Sequence, residues 1–218
     1  MPRPRRSPAP AAGTPPALSA VVDQLRTSGH MVTAYVRNPA RVPTSWGDDV
    51  TVVVGELSDA AAIDQAVQGA GAVVSALGPS MDRKATGLPL VEGTRNIVAA
   101  MQRHGVRRYV GNATPSILDP REKPTWQTRL PTFMAKTFLR RAYDEIVQMS
   151  QIVMTSGLDW TIVRFLAPKN GPARGQLRQG FYGHDKLGFN VTRADIAAFT
   201  AAQVDDDRYI GAAPGISN

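Results

Sequence analysis

A chain of 218 residues, 43% of them apolar and none of them cysteine, is long enough to bury its own core and excludes disulfide scaffolds, thiolate metal sites and cysteine nucleophiles. Lysine and arginine number 25 against 18 acids, a net charge of +7 that favours anionic ligands. No apolar run approaches the ~18 residues of a membrane-spanning helix, so no membrane partner is expected. The basic pairs Arg107-Arg108 and Arg140-Arg141 lack interleaved aromatic residues, so no nucleic-acid partner is expected. His30, His104 and His184 lie far apart in the chain, and no metal site is expected.

Met1 to Pro16 contains six prolines. Proline lacks a backbone N–H and cannot build a central strand, so a disordered Pro/Arg-rich arm is expected over 1–16. Arg5-Arg6 is followed by no apolar stretch, which rejects an export signal and gives a cytoplasmic protein as the expectation. Thr14 suits an N-cap and Pro15 the first helical position. Ala17 to Ser28 has helical spacing stopped by Gly29. His30 to Val36 is β-branched and alternating, a strand broken by Asn38-Pro39. Val50 to Val54 reads as a buried strand, Asp59 opens a short helix to Val67, and Ala72 to Leu77 is another strand. Leu88 to His104 is a helix stopped by Gly105, followed by the strand Arg108 to Val110. Pro115 to Pro131 reads as a loop, Thr132 to Ser156 as the longest helix, and Trp160 to Phe165 as a strand. Thr192 to Val204 is the final helix, opened by the capping signature Thr-Arg-Ala-Asp.

Strands alternating with helices imply βαβ crossovers and a parallel sheet covered on both faces, the doubly wound, Rossmann-like α/β class. In that class ligands lie beyond the carboxyl ends of the strands. A first strand ahead of Ala17 is doubtful, because Arg3 to Ala12 holds no β-branched or aromatic residue.

Five segments in order carry a resemblance: Ser28 to Pro39 (SGHMVTAYVRNP), Gly55 to Asp59 (GELSD), Ser75 to Gly78 (SALG), Ser156 to Arg164 (SGLDWTIVR) and Thr192 to Ala197 (TRADIA). Together they resemble the atypical short-chain dehydrogenase/reductases, the NmrA-like and biliverdin/flavin-reductase-like group of NAD(P)-binding Rossmann proteins. The resemblance implies one NAD(P)-binding domain over 17–218, with a small substrate-side segment around 165–190. The family opens with a Gly-x-x-Gly-x-x-Gly turn that lets backbone N–H groups approach the pyrophosphate. Those glycine positions fall here on Ala12, Pro15 and Leu18, with a lone Gly13 nearby. The departure leaves two readings, a protein that has lost ordinary pyrophosphate binding or a leader that is not the authentic one.

The resemblance also implies site residues. Arg37, after the second family strand, would accept a 2′-phosphate and select NADPH over NADH; Arg41 could assist. Thr14, Glu56, Leu57, Ala76, Leu77, Gly78, Asn112 and Arg164 complete the expected cofactor contacts. Thr114 would sit beside the nicotinamide and orient a substrate carbonyl as the catalytic residue. Ser116, Phe165 and Leu166 would contact substrate, and Ala167 to Gly183 is either a basic lid or a solvated hairpin. Tyr143 has Val147, not lysine, four residues later, so the Tyr–Lys pair of ordinary short-chain dehydrogenases is missing.

The expected activity is hydride transfer from NADPH to a small carbonyl, enone or flavin-like acceptor by a monomer or homodimer. A redox-inactive nucleotide sensor and a cofactor-independent cyclase or isomerase are the alternatives.

Overall fold

The structure is a computed structural model, and it describes residues 16–80 and 86–218. The expected arm, with Thr14 and the turn positions Ala12, Gly13 and Pro15, lies outside the described residues apart from Pro16.

Helix α1 (Pro16–Thr27) leads into β1 (Val32–Val36), which pairs in parallel with β2 (Val50–Val54). Helix α2 (Ala60–Val67) starts where Asp59 accepts the Ala62 amide at 3.0 Å. It is followed by β3 (Ala72–Ser75), α3 (Pro89–Arg103) and β4 (Arg108–Ala113). Two helices follow, α4 (Trp126–Phe138) and α5 (Arg140–Met154), and then β5 (Asp159–Arg164). The C-terminal part holds the short strands β6 (Ala167–Lys169), β7 (Arg178–Gly180) and β8 (Asn190–Thr192), helix α6 (Arg193–Ala202) and β9 (Gly215–Ser217).

The main ladder runs β3-β4-β5-β9-β7, parallel except where β7 meets β9; β1-β2 and β6-β8 form separate parallel ladders. This is the Rossmann-like α/β architecture expected. Side chains alternate across the strands, so Tyr109 and Ile162 enter a cluster with Ile63 of α2, Met101 of α3 and Ile146 of α5. Their neighbours Val110 and Val163 point the other way, toward Ile196 of α6. Val21 and Leu25 of α1 pack with Ala197 and Ala201 of α6, and both Val32 of β1 and Val74 of β3 rest on that cluster. Two helical layers therefore enclose the strands, and these shared clusters join the β1-β2 ladder to the main one.

Three expectations need correction. Val50 to Val54 is a strand but not a buried one: Val50 is buried, while Val52 and Val54 are exposed because β2 pairs only with β1 among the described residues. Thr132 to Ser156 is not one helix, because the chain breaks at Leu139 (φ −131°, ψ 41°). The stretch before Pro131 is not all loop either. Thr125 and Thr128 form a capping box that starts α4 at Trp126, with Pro131 inside it. A proline there forfeits one N–H and the i−4 bond it would have made, a cost the packed helix absorbs.

Candidate functional site

Each loop assigned to the ligand leaves the carboxyl end of a parallel strand. Arg37 follows β1, Glu56 and Leu57 follow β2, Ala76 to Gly78 follow β3, and Thr114 follows β4. The loops adjoin. Leu57 packs on Gly93 of α3, where a Cβ would stand 2.8 Å from Leu57 Cβ, and its carbonyl accepts from Asn96 Nδ2 at 3.0 Å. Beside it the Tyr35 hydroxyl donates to the Glu56 carbonyl at 2.7 Å. It lies so near Gly55 that a Cβ there would meet it at 2.3 Å. Burial first, then Asp59 and Glu56, push the Tyr35 phenol up, so it remains a neutral donor. Arg37 is exposed and forms no ion pair among the described residues.

Ala76 and Leu77 are half-buried, and Gly78 is exposed with open space where a Cβ would stand. The chain beyond them is anchored from α5. Arg141 donates to the carbonyls of Ser80 and Gly87 and pairs at 3.3 Å with the fully buried Glu145. Glu145 in turn accepts the Leu90 amide at 2.9 Å, in the first turn of α3.

The Thr114 carbonyl accepts from the Ile117 amide at 3.2 Å, closing a turn that holds Thr114 and Ser116 together. Neither hydroxyl makes a hydrogen bond among the described residues. The Phe165 amide donates to the Ala113 carbonyl at 3.3 Å and brings Phe165 and Leu166 to the same rim. The Phe165 ring is half-buried against the Val110 and Val163 cluster.

Other assignments come out differently. Arg164 is fully buried and does not reach the rim. Its Nε donates to the Ala213 carbonyl at 2.7 Å, and Nη1 to the Ile117 carbonyl at 2.7 Å. Its two Nη atoms pair with Glu122 at 2.8 and 2.5 Å. A guanidinium so committed is a structural element, which corrects its assignment to the cofactor. Asn112 is turned toward α6, where its Oδ1 accepts from the Thr200 hydroxyl at 3.0 Å. The basic segment is tethered at both ends of its first half. Asp195 accepts the amides of Arg174 at 2.9 Å and Gly175 at 3.2 Å, and Arg193 donates to Asn170 Oδ1 at 2.9 Å.

The sequence reading missed Asp119 and Glu122. Asp119 Oδ2 accepts the Ala213 amide at 2.8 Å, and Glu122 also accepts the Tyr182 amide at 2.8 Å. Both lie in a Pro-rich stretch whose composition reads as a solvated turn, and nothing local marks them as buried. The Tyr182 ring lies 5.5 Å beneath the Arg164 guanidinium, and burial chiefly pushes its phenol up to about 12.

A model of the NAD(P)H-binding family matches residues 19–207, most of the chain. The chain belongs to the NAD(P)H-binding family. Solved structures give the same fold at low identity. ChuY, an anaerobillin reductase from Escherichia coli O157:H7, is 18% identical with a TM-score of 0.74, over 94% of this chain and 93% of that one. A short-chain dehydrogenase/reductase from Veillonella parvula, solved with NADP, is 19% identical with a TM-score of 0.71, over 92% and 88%. A Rossmann-fold NAD(P)-binding protein from Shigella flexneri is 20% identical with a TM-score of 0.67, over 94% and 89%.

The residues present in this NAD(P)H-binding protein fit the adenosine half of such a cofactor. Among the described residues Arg37 forms no ion pair, and Gly78 leaves room for close backbone approach. Of the three glycine-turn positions, Leu18 is described, and its side chain packs against Val22, Ala34 and Trp46 in the core.

Proposed function

We propose that this NAD(P)H-binding protein is an NADPH-dependent reductase of a small carbonyl, enone or flavin-like acceptor. The observation that carries the reading is Arg37, an exposed cation just after β1 with no ion pair among the described residues, where a nucleotide's 2′-phosphate would find charge-assisted donors. The cofactor supplies the hydride when bound. Arg37 holds the 2′-phosphate, Glu56 and Leu57 border the adenine, and Ala76, Leu77 and Gly78 line the passage toward the reacting end. The Thr114 hydroxyl donates to the acceptor oxygen and orients it, while Ser116, Phe165 and Leu166 form the wall. Tyr143 has Val147 four residues on, so the proton comes from water or from the acceptor itself. An NADP-bound structural neighbour and a reductase neighbour support the reading through the shared fold.

The test is a fluorescence titration with NADPH and NADH, followed by turnover on a quinone and on a flavin. Removing a charge-assisted contact costs roughly 1.5–3 kcal/mol, so Arg37→Ala should raise the Kd for NADPH about 10- to 150-fold and leave NADH unchanged. Equal loss for both nucleotides would remove Arg37 from the 2′-phosphate. Saturable binding with no turnover on any acceptor would replace the reductase by a nucleotide sensor.

A further inference from the structure

Helix α4 is amphipathic in the inverted sense. Three of its polar residues face the protein: Thr128 is buried, Gln127 donates to the Leu187 carbonyl at 3.1 Å, and Thr132 donates to the Pro115 carbonyl at 3.5 Å. Its apolar residues face outward at helical spacing, with Trp126 65%, Leu130 55%, Phe133 63%, Met134 47% and Phe138 67% exposed. Phe189 extends the patch, its ring centroid 5.2 Å from that of Trp126. Leaving such a stripe in water is costly, and contiguous exposed apolar patches of this kind mark a docking surface.

The charges around the stripe identify what docks. The sequence has no acid between Glu122 and Asp144. Of the acids flanking that interval, the side chains of Asp119, Glu122 and Glu145 are buried, and Asp144 pairs with Arg140 at 3.8 Å. Lys123, Arg129, Lys136 and Arg140 are exposed. A second copy docked stripe to stripe would set these cations against their own counterparts, with no acid from the same interval to pair them. An apolar face carrying tryptophan and phenylalanine with a basic rim matches an anionic bilayer surface, where rings enter the headgroup boundary and cations meet lipid phosphates.

We infer that α4 docks this protein in the plane of an anionic lipid bilayer. The mode is peripheral, since no helix among the described residues is long and apolar enough to cross a membrane. The inference stands apart from nucleotide binding and departs from the expectation of no membrane partner. The absence of a spanning segment says nothing of a helix lying on the surface, and by sequence alone Trp126 and Leu130 fall in a loop.

The test uses the full chain with vesicles of phosphatidylcholine alone and of phosphatidylcholine and phosphatidylglycerol in equal parts. Sedimentation with the mixed vesicles is expected, weakening as salt rises. Trp46 and Trp160 are buried, so a blue shift of tryptophan emission, quenched by brominated lipid, reports Trp126. The double variant Phe133→Ser, Phe138→Ser should lose more than tenfold in partition, and its circular dichroism should be unchanged because both rings are exposed. Arg129→Gln and Lys136→Gln should each lose about fivefold. Failure to sediment with either vesicle, or sedimentation without a shift in emission, would overturn the inference. So would a concentration-dependent dimer abolished by the same phenylalanine substitutions, which would assign the face to a second copy.

Discussion

Replacing Glu122 by alanine removes the counter-charge of a guanidinium that has no access to water. Arg164 and Glu122 side chains are 0% and 3% exposed. The substitution leaves Arg164 its bonds to the Ala213 and Ile117 carbonyls and the Tyr182 ring beneath it but no counter-charge among the described residues, and it strips the Tyr182 amide of its acceptor. Breaking a buried pair from one side costs about 3–5 kcal/mol. At about 2–4 °C per kcal/mol for a chain of this size, the melting temperature should fall by roughly 6–20 °C. Urea unfolding gives the free energy directly, with an unchanged slope showing that both forms unfold from the same compactness. The double variant Glu122→Leu, Arg164→Met removes both charges and should recover a large part of the loss, because a buried pair contributes little net stability over an apolar replacement. If Glu122→Ala costs less than about 1 kcal/mol, or the double variant is worse than the sum of the singles, the buried-charge account is wrong.

Two further outcomes follow from the geometry. Burial raises the Asp195 carboxyl, but the Thr192 hydroxyl and the Arg174 and Gly175 amides outweigh it and hold the group below the ordinary carboxylate range. A depressed folded value stabilises above the unfolded pKa of about 4 and is lost as pH falls through the folded one. The melting temperature should therefore fall on acidification from about pH 5 to pH 3, and Asp195→Asn should be less stable at neutral pH with a shallower acid limb. Thr114→Val keeps the shape and removes the donor, so acceptor turnover should drop about tenfold while NADPH affinity is unchanged; a matching loss of affinity would place Thr114 elsewhere.

The strands and helices that the sequence made legible are those whose signal is local. Val50 to Val54 and the Asp59-capped α2 depend on β-branching and a single side-chain cap, and both lie where the sequence places them. The break at Leu139 is hidden because the apolar spacing of α5 continues smoothly into that of α4, and the stretch up to Pro131 reads as a loop although packing tolerates that proline inside a helix. The strands β6 to β9 are three residues each, too short for alternation to show, and owe their form to pairing with distant chain. At the site, the motif segments put Arg37 and Gly78 on strand-end loops, and the strand signal from Arg108 puts Thr114 on another. The fate of Arg164 was not, because a strand-end arginine reads the same whether it faces a ligand or a carboxylate 42 residues away in the chain.

Among the described residues no strand-to-strand backbone hydrogen bond links the β1-β2 ladder to the main one. Among those residues side chains join them, Val32 and Val74 on α1 and α6, and Leu57 on Gly93. On the proposed reading a dinucleotide would reach from Arg37 beside one ladder to Thr114 beside the other, so its fit would depend on the spacing that Val32, Val74 and Leu57 set between them.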